Sequence, residues 1–164
     1  MKTTTILALV ILLFVTGCST IQTTTNGIDN FRPVDLSKAI YRGGQPTEFT
    51  YLKSLGVSNI VKLNLKSEGS DDSAVCIGMK VVYDPINSKE QFLGPVPMWK
   101  VDMAVTNITP GTYVHCLHGQ DRTGLIVAKY EIVNGQPKED VEKRMLSYGF
   151  HKLLFGLWNC FKKF

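Results

Sequence analysis

The spacing of apolar positions changes repeatedly along the chain, and each change marks an element. Ala39-Ile40-Tyr41 predicts a short strand, and Arg42-Gly43-Gly44-Gln45-Pro46 a turn after it. Thr47 is a candidate N-cap for a helix that carries Tyr51, Leu52 and Leu55 on one face and ends at Gly56. Residues 59–65 (NIVKLNL) alternate in part and are β-branched, which predicts a sheet strand. The Ser, Gly and Asp of 66–73 predict a loop, 74–79 a short helix, 80–83 (KVVY) a strand and 84–94 a further loop. Val96, Trp99 and Met103 recur at helical spacing within 95–106, Pro110-Gly111 makes a turn, and 112–115 (TYVH) reads as the next strand. Three helical stretches follow. The first, 123–133, is apolar on its inner turns and so buried; the second, 137–147, has Pro in its first turn with Glu139 and Asp140 close behind. In the third, 151–161, Leu153, Leu154, Leu157, Trp158 and Phe161 form a stripe that predicts core packing. Strands alternate with helices, so the expected fold is a single α/β domain with a mostly parallel central sheet flanked by helices.

The N-terminus breaks this pattern. Lys2 is followed by ten unbroken apolar residues, Ile6 to Val15, about half of what a membrane-spanning helix needs, so residues 1–17 read as an export signal. Val15-Thr16-Gly17-Cys18 resembles the bacterial lipobox, which implies acylation of Cys18 and a new N-terminus there. Ser19 after the cysteine is similar to the outer-membrane sorting choice. The resemblance implies a protein held by lipid at a bacterial membrane, on the periplasmic face of the outer membrane. Residues 18–30 are Thr-rich, nearly uncharged and aperiodic, as suits a flexible tether, and the folded domain is expected over 31–164.

Composition narrows the function classes. Of 164 residues, 44% are hydrophobic and 20% charged, the balance of a folded domain, and no repeat at solenoid period is visible. Eighteen Lys and Arg against 14 Asp and Glu give +4, too diffuse for a nucleic-acid surface but compatible with anionic small ligands. Four cysteines without a Cys-x-x-Cys pair support neither a disulfide scaffold nor a zinc site.

The chemistry concentrates in Val114-His115-Cys116-Leu117-His118-Gly119-Gln120-Asp121-Arg122-Thr123-Gly124. A strand ends at His115, a tight loop follows, and an apolar helix starts at Thr123. Backbone N–H groups of such a loop, with the first turn of the helix, converge on an anion. Gly119 and Gly124 let the backbone approach it, and Arg122 offers two parallel N–H bonds to an oxyanion such as phosphate. The same electropositive field favours a thiolate at Cys116, which makes it a candidate nucleophile.

At these residues the sequence resembles the protein tyrosine phosphatase superfamily, whose signature is His-Cys, five residues, Arg, then Ser or Thr. Tyr41-Arg42-Gly43-Gly44-Gln45-Pro46 is similar to an opening element of small bacterial dual-specificity members. The resemblance implies that Cys116 is the nucleophile, Arg122 the phosphate clamp, Thr123 the hydroxyl that assists phosphoenzyme breakdown, and His115 a support for the thiolate. Leu117, His118, Gly119, Gln120 and Asp121 would line the phosphate with Thr123 and Gly124. It implies no metal or other cofactor, and a phosphorylated protein or small phosphomonoester as partner. Phosphotyrosine is the first substrate class, with phosphoserine and phosphothreonine beside it, and a phosphoinositide or inositol phosphate is the alternative. A phosphate-binding module without turnover is the non-enzymatic alternative.

The superfamily also needs an acid for the leaving group. Asp84, 32 residues before Cys116 and just after KVVY, is the first choice. If the strand extends through Ile86, Asp84 lies within it, and Glu90 is the alternative from the same loop. Asp121 is the third, because Asp directly before Arg-Thr resembles phosphoinositide phosphatases. Cys76 and Cys160 read as buried thiols, with a mutual disulfide, or one with Cys116, left open.

Overall fold

The short alternating runs become five strands of one sheet with both faces covered. The computed structural model describes residues 24–164, so the export signal and Cys18 lie outside the described residues. The strands are β3 (Arg32–Asp35), β4 (Ile40–Gly43), β5 (Asn59–Lys62), β6 (Lys80–Tyr83) and β7 (Thr112–His115), in the order β3-β4-β7-β5-β6. Pairing is parallel throughout except for β3, which runs antiparallel to β4 at the edge. Pro33, which has no N–H to give, is tolerated on that edge strand.

Alternation along each strand sorts side chains between two cores. Ile40, Val61, Leu63 and Val114 face one, where they meet α4 (Met98–Thr106), α5 (Asp121–Val133), α6 (Lys138–Ser147) and α7 (Phe155–Phe161). Tyr41, Ile60 and Tyr113 face the other, closed by α1 (Thr50–Ser54) and α2 (Asp72–Cys76). The fold is therefore the expected α/β domain with a mostly parallel sheet between helical layers. A further short helix, α3 (Ser88–Phe92), leads out of the loop after β6 and packs on α7. Among the described residues no helix is long and apolar enough to cross a membrane.

Three expectations change. Residues 24–30, read as part of a tether, fold into a hairpin of β1 (Thr24–Thr25) and β2 (Ile28–Asp29). Asn26 and Gly27 take φ of 47° and 74°, the two positive values that a type I′ turn demands. Ile28, only 1% exposed, then enters the second core. In α4, Trp99 and Met103 are 60% and 49% exposed, and it is the other face, Val101 and Ala104, that docks on the core. In the last helix the stripe holds for Leu157 and Phe161, but Leu153 lies before α7 and is exposed.

Ile28→Ala should lower unfolding free energy by about 2–4 kcal/mol in urea titrations, because it empties a closed site. A change under ~0.5 kcal/mol would return the hairpin to the status of a tether.

Candidate active site

The loop after β7 is built by what happens to its carbonyls. The Gln45 N–H reaches Leu117 O at 3.0 Å, Asn30 Nδ2 reaches His118 O at 3.4 Å, and Arg42 Nη2 reaches Gly119 O at 2.6 Å. Three successive carbonyls are thus drawn outward to the hairpin and to β4 and the turn after it. The N–H groups of Leu117, His118, Gly119, Gln120 and Asp121 have no protein acceptor among the described residues. A peptide plane that turns its oxygen out turns its N–H in, so the N–H groups of His118, Gly119 and Gln120 face inward and form the body of an oxyanion cradle. Gly119 is essential to this path: its φ is 70°, and a Cβ there would lie 2.6 Å from Gly44 N. Tyr113, buried in the adjacent strand, donates its hydroxyl to Gly44 O at 2.6 Å and fixes the backbone that Gly119 leans on.

Cys116 is buried at the start of the loop, and Arg122 follows in the first turn of α5. Arg122 is held bidentately by Glu68, with Nη1 at 2.7 Å from Oε2 and Nη2 at 3.1 Å from Oε1, and Nη1 also reaches Ile86 O at 3.4 Å. These contacts leave the Nε edge of the guanidinium for an oxyanion. The hydrogen bond from Arg122 is also the chief reason why the Glu68 carboxyl sits below its usual range. Thr123 is fully buried with a hydroxyl that has no partner. His118 is exposed at the loop surface, while Gln120 is buried against Gly149.

A buried polar network stands behind Cys116. His115 Nε2 lies 2.8 Å from Asp71 Oδ2, and its Nδ1 lies 3.4 Å from Cys116 O. The other oxygen of Asp71 accepts from Gln45 Nε2 at 2.7 Å and from Lys62 Nζ at 3.2 Å. Lys62, only 2% exposed, also donates to Gln45 Oε1 and Asn64 Oδ1. Burial opposes the charge on Asp71, but the hydrogen bond and charge of His115, with Gln45 and Lys62, outweigh it and hold the carboxyl at about 2.

Several site residues move from their expected places. Pairing with β5 continues past Tyr83 at the first-choice acid, Asp84: Asp84 N donates to Lys62 O and Ile86 N to Leu63 O, both at 3.0 Å. Its carboxylate accepts from Asn107 Nδ2 at 3.0 Å, at the far end of α4. Glu90 caps α3 through the Asn87 N–H and pairs with Lys100 at 2.5 Å. Asp121 caps the turn at His151, accepting its N–H at 2.7 Å. Gly124, expected to touch phosphate, has its N–H bonded to Gln120 O and instead admits Phe150 and Met145 against α5. Cys76 and Cys160 are free and belong to opposite faces of the sheet, one exposed and one in the core, so they do not meet. Glu68, Asp71, Lys62 and Asn30 escaped sequence reasoning; only Asn30, just after an Asn-Gly turn, carried a local signal. Among the described residues no cluster of His, Cys, Asp and Glu is placed to hold a metal ion.

No family model and no curated protein matches the chain. Solved structures do. TpbA of P. aeruginosa superposes with a TM-score of 0.69 at 21% identity, over 87% of this chain and 89% of that one. The fold is that of the dual-specificity phosphatases. The catalytic core of Siw14, described elsewhere as a PP-IP phosphatase from S. cerevisiae, gives 0.68 at 18% identity, over 82% of this chain and 84% of that one. PTPMT1, solved with PI(5)P, gives 0.61 at 14% identity, over 82% and 96%. Identities this low establish shared architecture, and chemistry rests on the site itself.

The stabilising effect of the Asp71 charge is complete above the ordinary value of 3.8 and is lost as pH falls through about 2. The urea midpoint should therefore drop across that window. Asp71→Asn should flatten the drop while costing about 3 kcal/mol at neutral pH, since it leaves Lys62 buried without its counter-charge. Wild-type behaviour of the variant at both pH values would remove the network from the stability of the fold.

Proposed function

We propose that the protein is a cysteine-dependent phosphatase that hydrolyses phosphomonoesters through a phosphocysteine intermediate. The observation that carries this reading is the inward-turned N–H groups around Cys116 with the free edge of Arg122 beside them. In the reaction, the Cys116 thiolate attacks phosphorus as the ester P–O bond breaks. The loop amides and Arg122 hold the three non-bridging oxygens, where charge gathers in the transition state. Water then attacks the phosphocysteine, the S–P bond breaks, inorganic phosphate leaves and the thiolate returns. The unpartnered Thr123 hydroxyl is available to hydrogen-bond the departing sulfur.

The leaving group decides the substrate class. Asp84, Glu90 and Asp121 are all engaged with other groups, so a poorly basic leaving oxygen is favoured. Phenolate leaves far more readily than alkoxide, which favours phosphotyrosine over phosphoserine and phosphothreonine. TpbA, solved with pTyr, supports this direction. A second reading, an inositol phosphate or phosphoinositide, draws on the exposed His118 at the loop and on the PP-IP phosphatase and PI(5)P-bound neighbours. Export and lipid attachment at Cys18, on the periplasmic face of an outer membrane, complete the proposal and rest on residues 1–19 alone.

Aryl phosphate hydrolysis by the reduced protein tests the reading. Cys116→Ser should abolish turnover, Arg122→Lys should lower it by about 10²–10³, and Asp84→Asn should leave it within about threefold. A hundredfold loss in Asp84→Asn would return that residue to the leaving group. Inertness toward aryl phosphates with release of phosphate from inositol phosphates would select the second reading. Inertness toward both, with phosphate still bound, would leave a binding module.

A further inference from the structure

A cavity of about 620 Å³ forms a groove between β3 and the helices α5 and α6. Arg42 lines it. The residue is 3% exposed, has no ion-pair partner among the described residues, and carries an Nε with no hydrogen-bond acceptor among them. Its neighbour across the β3–β4 pairing is Arg32, whose buried Nε is also without a partner. Both guanidinium groups lie over one ring, that of Tyr148, at 4.4 Å for Arg32 and 5.2 Å for Arg42. Aromatic stacking eases two adjacent cations but supplies no counter-charge.

The remaining charges of the groove are already matched. Asp35 accepts from the Ser37 and Lys38 backbone and pairs with Lys38 Nζ at 3.0 Å. Glu131 pairs with Arg144 at 3.3 Å. The excess cation is therefore the buried one, and a buried charge without a partner is an unstable arrangement that an anion relieves. Burial draws the Arg42 guanidinium down to about 10, opposed by the charge of Cys116 and then by that of Glu131.

We propose that this groove is a second anion site, taking the oxyanion group of a small metabolite on Arg42, and that its occupancy lowers turnover at Cys116. The link is one residue long: Arg42 Nη2 holds Gly119 O, and Gly119 belongs to the cradle. An anion beside Arg42 shares the charge that otherwise supports the loop and the thiolate. The site itself stands independently of the phosphatase reading, and only the effect on turnover rests on it.

Two measurements on the full chain test this, with inorganic phosphate as probe. In the first, Cys116 is carboxymethylated with iodoacetate so that the loop is blocked, and phosphate is titrated by calorimetry. One equivalent should bind near ~1 mM. Lys38→Glu and Arg144→Gln, which change the charge of the groove without touching the loop, should each weaken it about two- to fivefold. Absence of binding up to about 50 mM, or binding unaltered in both variants, overturns the site. In the second, unmodified protein is assayed at saturating aryl phosphate, where competition at the loop is suppressed. Phosphate should lower turnover about two- to fivefold, and the two variants should need about two- to fivefold more phosphate for the same effect while keeping their uninhibited rate. Turnover unchanged by phosphate, with the calorimetric site present, overturns the coupling. An inert unmodified protein with an intact calorimetric site overturns the phosphatase reading instead.

Discussion

A loop that keeps its N–H groups free for an anion must dispose of its carbonyls elsewhere, and most of the surrounding structure answers that requirement. Gln45, Asn30 and Arg42 take the oxygens of Leu117, His118 and Gly119 in turn, from three different segments. The Gly43-Gly44 backbone stands where a side chain at Gly119 would be, so the turn after β4 and the loop after β7 are fitted to each other. The hairpin at 24–29 gains its purpose here: it delivers Asn30 to His118 O and Tyr148 O. An anion cradle in this fold is thus held from outside, by groups that never touch the anion.

Charge is handled in the same layered way. Arg122 is oriented by Glu68 from one edge so that the other edge is presented to the cradle. Behind Cys116, Asp71 joins His115 to Lys62 and Gln45 within a space closed to solvent. Each buried charge has its partner there, whereas Arg42 holds Gly119 O through Nη2 and has no carboxylate within ion-pair distance among the described residues.

The sequence made the sheet, the buried α5 and the Cys116 to Arg122 loop legible because each is governed by local pattern: alternation, helical period, and glycines at a sharp turn. What it hid was long-range. Glu68 and Asp71 sit in a stretch rich in Ser, Gly and Asp that reads as a solvated loop, and only the fold brings them to Arg122 and His115, 54 and 44 residues away. Trp99 and Met103 mislead for another reason: α4 has apolar residues on two faces, and the smaller pair, Val101 and Ala104, allows the closer approach to the core. Asp84 turns on a strand end, where one more pair of backbone bonds extends the pairing with β5.

The buried set of Lys62, Asp71 and His115 also constrains how such a sequence can drift. Changing Asp71 or Lys62 alone passes through a protein with an uncompensated interior charge, a costly state even where the loop itself is untouched. Descendants of this chain therefore inherit these two together or replace them together.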